Sequence, residues 1–146
     1  MAGLSLTVEF DTDRIKNELS VASGRALEII GSKAETYAKL RCPVGTPEST
    51  GKKGYIGGTL RDSITHEVDP DNTGVSIGSP VHYAPYVELG TGPYYETPPP
   101  WVQNFAPRGR GVGHSFVHPR PYIRPAFQDH TEEYRGIFES ELKKGN

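Results

Sequence analysis

The run from Val75 to Gly92 constrains the fold of this chain more than any other stretch. Val75 and Ile77 alternate with Ser76 as in a short strand, which Gly78 and Pro80 end. The spacing then predicts a helix of one to two turns over 84–89. Pro85 suits its first turn, where the missing N–H has no intrahelical partner to lose. Gly90 suits the position just past its end, where a left-handed residue closes a helix. Tyr83, Tyr86, Val87 and Leu89 are more apolar surface than so short a helix can cover alone. A larger body must receive them, with Tyr83 and Tyr86 in its core.

The flanks supply that body. Leu4, Leu6, Val8 and Phe10 alternate with polar residues at the period of a half-buried strand. Asp11, Thr12 and Asp13 offer caps for a helix start, and no proline interrupts 14–40. Ile15, Leu19, Ala22, Ala26, Ile30, Tyr37 and Leu40 form one apolar stripe there, with Val21 and Ile29 off it, as if a second surface were covered by another subunit. Gly24 and Gly31 weaken this helix by about 1 kcal/mol each relative to Ala. Pro43 ends it. A single turn over 59–63, a strand over 64–68, a turn over 69–74 and the strand over 75–78 predict an antiparallel hairpin. Phe116-Val117 reads as a last short strand. One C-terminal helix then opens at Pro125 and carries Phe127, His130, Tyr134, Ile137, Phe138 and Leu142 at helical spacing. The expected class is α+β: a small antiparallel sheet packed against a long N-terminal helix and a C-terminal helix, with long Gly/Pro-rich loops. A single domain spans 1–146, with loop insertions at about 41–58 and 93–119.

The totals exclude several classes. The formal net charge of −2 argues against a general nucleic-acid-coating protein. One cysteine leaves no internal disulfide framework and fits a reducing compartment. The start lacks a basic region followed by an apolar run, so no secretory leader is expected. No apolar run approaches the ~20 residues of a membrane span. With 17 glycines, 13 prolines and 34% hydrophobic residues, the chain reads as ordered elements on long loops, with burial completed by neighbouring subunits.

Candidate chemistry is sparse. Cys42 lies between a helix C-terminus and Pro43, where the dipole disfavours a thiolate, so it reads as a buried or incidental thiol and not a nucleophile. His114 and His118 stand four apart between Gly113 and Pro119, outside any helix, and no metal is expected. Gly45 to Lys52 fails as a phosphate-binding loop, with five residues where four are needed between the glycines, and Lys53 where Ser or Thr binds magnesium. No catalytic residue, cofactor or small-molecule substrate is assigned, and no enzyme is expected. The cluster Arg108, Arg110, His114, His118, Arg120 and Arg124 is interleaved with Trp101, Phe105 and Phe116. It fits a solvated loop facing acidic partners, and it also has the charge and reach to touch a phosphate backbone. Trp101, Phe105, Tyr122 and Ile123 are the expected subunit or partner contacts, because exposed aromatics anchor interfaces.

Three blocks in order carry a resemblance. They are Pro43–Thr46 with Gly58–Ile64, His82-Tyr83-Ala84-Pro85-Tyr86-Val87-Glu88-Leu89-Gly90-Thr91-Gly92, and Arg120-Pro121-Tyr122-Ile123-Arg124-Pro125-Ala126-Phe127. Together they resemble the tail-component family of long-tailed bacteriophages, the tail-completion or head–tail joining (neck) proteins. The resemblance implies a structural virion protein, assembled in the host cytoplasm, that forms a homo-oligomeric ring, typically a hexamer, at the head-proximal end of the tail. Its implied partners are the tail terminator, the tail tube and the head connector or stopper, with genome DNA passing through the lumen. Arg108, Arg110, His114 and His118 are the positions for such DNA contacts. The alternatives are a tail terminator or minor capsid or tail component, or a small monomeric nucleic-acid-binding module using the basic-aromatic loop.

Overall fold

A computed structural model of the chain describes residues 3–9, 20–46, 51, 53, 54, 56–97, 99–103 and 117–144. Within them, β1 (Leu4–Glu9), β2 (Thr65–Val68), β3 (Gly74–Ser79) and β4 (Val102–Gln103) form one antiparallel sheet in the order β2-β3-β1-β4. The architecture is α+β, as the alternation of strand and helix periods predicts. β2 and β3 make the expected hairpin, with Val68 opposite Val75 and Thr65 opposite Gly78. Its turn uses Asn72 at φ 58°, a left-handed conformation that Asn tolerates better than most residues. β1 lies on the other side of β3, pairing Leu4 with Ser79 through to Glu9 with Gly74. Val75 and Ile77 are fully buried, while Ser76 on the opposite face bonds Thr7 at 2.8 Å.

The fourth strand is not where the sequence places it. Val102 and Gln103 pair with Leu6 and Ser5, inside a stretch that reads as loop. Phe116 lies outside the described residues. Val117 is not in the sheet, because Thr91 takes both of its backbone groups: the Thr91 N–H donates to the Val117 carbonyl, and the Val117 N–H donates to Thr91 Oγ1.

Helix α1 (Ser20–Arg41) packs on the sheet through a face of small residues, Ala22, Ser23, Ala26, Gly31, Ala34 and Ala38, with Leu27 and Ile30. Small side chains let its axis lie close to the strands. Gly24 and Gly31 are the closest approaches: they sit where the hairpin touches the helix. A Cβ on Gly24 would lie 2.8 Å from Asn72 Oδ1, and the Asn72 amide donates to the Ser20 carbonyl beside it. A Cβ on Gly31 would lie 2.6 Å from His66 Cδ2 and 2.8 Å from Val75 Cγ2. The glycines therefore weaken the helix in isolation and make its docking possible. Gly31→Ala is expected to destabilise the protein by about 1–3 kcal/mol through overpacking, despite Ala's better helix propensity, and urea denaturation followed by circular dichroism measures it.

Leu40 is a correction. The sequence puts it on the buried stripe, yet it is 77% exposed. Ala38 and Cys42 carry the buried face past this point, and a residue midway between them must point the opposite way. Val21 and Ile29, expected off the stripe, are exposed.

Beyond α1 come α2 (Thr59–Ser63) and α3 (Ala84–Leu89), both within the predicted ranges. The expected single C-terminal helix is two, α4 (Ile123–Gln128) and α5 (Thr131–Lys144). Asp129 and His130 separate them, held from α1: Arg41 pairs with Asp129 at 2.8 Å, and the Tyr37 ring stacks on His130 at 3.6 Å. Helical spacing alone could not reveal the break, because its cause lies on another helix. Past it, Tyr37 donates to Glu133 and Lys33 pairs with the same carboxylate at 3.0 Å, which fastens α5 along α1. Among the described residues no helix is long and apolar enough to cross a membrane.

Candidate functional site at the base of the long loop

The best-defined polar arrangement is built on α3. Its dense apolar residues bury as expected in part: Ala84, Pro85 and Leu89 are buried, and Tyr83 and Val87 are half-buried against the core. Tyr86 is also only half-buried. Glu88 is the surprise, with 0% exposure. A carboxylate without water must have partners for its lone pairs. Glu88 Oε2 accepts the Tyr122 and Ile123 N–H groups at 2.7 and 3.0 Å. Its Oε1 accepts the Arg124 N–H and the Arg124 Nε–H, both at 2.9 Å.

These bonds explain how α4 begins. A helix start leaves N–H groups without intrahelical acceptors, and Tyr122 at the N-cap position gives no side-chain cap. Glu88, 34 residues earlier than Tyr122, supplies the missing acceptor and places negative charge where the helix dipole favours it. Arg124 folds back along the same carboxylate, and its Nη2 donates to the Glu88 carbonyl at 2.7 Å. Its Nη1 faces outward to Glu96 at 2.8 Å. The backbone is closed alongside: the Arg120 N–H donates to the Val87 carbonyl and the Glu96 N–H to the Leu89 carbonyl. The result is a hydrogen-bonded joint between α3 and the segment leading into α4.

An open cleft of about 400 Å³ borders this joint, lined by Glu96, Thr97, Pro99, Pro121, Arg124, Pro125 and Gln128. Beside the joint, the Tyr94 and His118 rings stack at 3.6 Å on the surface. Trp101 is half-buried and packs against the core.

The expected site residues fall into three groups. Phe105, Arg108, Arg110 and His114 lie outside the described residues. His118 and Trp101 sit at the base of the loop, as above. Tyr122 and Ile123 are corrected: both are fully buried, so neither is a surface contact. Their block is the floor of the joint, because capping by Glu88 draws it into the core, where Tyr122 Oη reaches the Ala84 carbonyl at 3.4 Å. Cys42 is buried, one of the two expected readings, and burial pushes its thiol pKa up to about 11, away from thiolate chemistry. Among the described residues no three His, Cys, Asp or Glu side chains gather to hold a metal.

Sequence reasoning missed Glu88 and the roles of Arg124 and Glu96. The available signal was a lone carboxylate in an otherwise apolar short helix, together with a later helix start that lacks a capping residue of its own. Comparison with protein-family models, with curated proteins and with solved structures finds no match to this chain.

Proposed function

We propose that this chain is a structural virion protein of a tailed bacteriophage, a tail-completion or head–tail joining protein that works as a ring at the neck. The observation that carries the reading is the joint itself. Two of the three blocks that resemble the family, His82–Gly92 and Arg120–Phe127, are locked together by Glu88. The third reaches the sheet beside them through the Ser63 hydroxyl, 2.6 Å from that of Ser79. Motifs scattered along the chain are thus joined by hydrogen bonds into one body, an arrangement suited to a framework that meets partners.

On this reading the function is geometry and affinity, without a reaction. Neighbouring copies close the ring, the faces meet the tail terminator or tube and the head connector, and DNA passes through the lumen. The test is electron microscopy of a lysate from the encoding phage with an early stop codon in this gene. Filled heads beside detached tails are expected, and supplying the intact chain from a plasmid restores joined particles. Joined particles without the protein would overturn the reading.

A further inference from the structure

The chemistry of one side-chain cluster away from the joint has no part in the neck reading. His66, on the outer strand β2, lies over Gly31 of α1 with a carboxylate at each ring nitrogen. Nδ1 is 2.6 Å from Glu35 and Nε2 is 2.6 Å from Glu28. Glu28 and Glu35 stand two helical turns apart on α1, so they bracket Gly31, whose missing Cβ makes room for the ring. Glu35 is itself held by Lys39 at 2.6 Å. On the sheet side, His66 stands opposite the uncharged Ile77 in β3, and Val75 meets Gly31 beside it. Among the described residues, the charged groups facing the ring are Glu28, Glu35 and, through Glu35, Lys39.

A neutral imidazole has one donor nitrogen and one acceptor nitrogen, and an ionised carboxylate only accepts. Two carboxylates at hydrogen-bond distance from the two nitrogens are satisfied together only by the imidazolium. We propose that His66 is a pH-operated latch that clamps β2 onto α1 while the ring carries two protons and releases that strand when it loses one.

The electrostatics agree in sign. Burial disfavours the charged ring, but its bonds to Glu28 and Glu35 outweigh that and hold the His66 pKa above its ordinary value. Burial likewise disfavours charge on Glu35, yet its bonds to Lys39 and His66 hold that carboxyl below its usual range. A group with a raised folded-state pKa contributes stability that is fully present below its free value and is lost as pH rises through the folded one. The latch is therefore closed in mildly acidic solution and opens on the alkaline side. Glu35 stays ionised below the range of a free glutamate, which extends the closed window downward.

The test is an NMR titration of the full chain, read at the His66 ring and at the β2 amides. His66 should titrate above the free-histidine range. Exchange protection of the β2 amides, corrected for the free-chain rate, should fall about tenfold between about pH 6 and about pH 9. The β1 amides should not follow. In His66→Gln the β2 protection should be low at both ends. In Glu28→Gln, which alters a mostly exposed carboxylate, the His66 titration should move down towards the ordinary value. A ring that titrates at or below the free range, β2 protection that ignores pH, or a titration unmoved in Glu28→Gln would each overturn the latch.

Discussion

Glu88→Ala should destabilise the protein by about 3–5 kcal/mol, the range found when one partner of a buried ion pair is removed. The cause is the number of groups left behind. Three backbone N–H groups, of Tyr122, Ile123 and Arg124, lose their acceptor together with Arg124 Nε–H, the first two fully buried and the Arg124 pair partly so. Each stranded donor carries its own desolvation penalty. Set against a total of ~5–15 kcal/mol for a domain, this loss takes a large share of the stability. Glu88→Gln keeps the shape and part of the capping, so it should lose less, about 1.5–3 kcal/mol, by weakening the charge-assisted bonds. Chemical denaturation of the two variants beside the parent chain measures both losses. Equal stability of all three would mean that Glu88 does not hold α4.

Tyr122→Ala ranks with it, at about 3–5 kcal/mol, because deleting a fully buried aromatic ring removes its packing and leaves a cavity. Tyr122→Phe should lose only about 0.5–1.5 kcal/mol, since the hydroxyl's single bond to the Ala84 carbonyl is long at 3.4 Å. The contrast tests the correction of this residue from surface contact to core. A surface contact would lose binding and keep its denaturation midpoint; a core residue loses the midpoint first. Thermal melts of the two variants decide it.

Where the sequence was readable, the instructions were local. Pro85 and Gly90 bracket α3, and the bounds 84–89 follow from them. The turn residues 69–74 set the β2–β3 hairpin. Both are fixed by neighbours a few positions away. The misses share the opposite property. The partners of Glu88 lie more than 30 residues downstream, in a segment that looks like an exposed proline-flanked turn. β4 is two residues long, too short for a period to show, and exists because β1 offers it an edge. The break between α4 and α5 is held by Arg41 and Tyr37 from the far side of α1. Leu40 fits the stripe of an ideal helix but not the face that the sheet happens to cover. Of the candidate site, the position of the joint was legible through its Pro and Gly punctuation, while its wiring was not.

The place of β1 in the sheet has a consequence in time. The β2–β3 hairpin closes a short loop, and its entropy of closure is small. β1 enters beside β3 against a far longer stretch of chain: Thr7 meets Ser76, 69 positions away in sequence. β4 then has no edge to join until β1 is seated. The hairpin and α1 are therefore expected to form before β1 inserts, since long-range pairing gives nothing back until its closure is complete. During synthesis, β1 leaves the ribosome before β3 and finds its partner strand only after the residues between them have emerged.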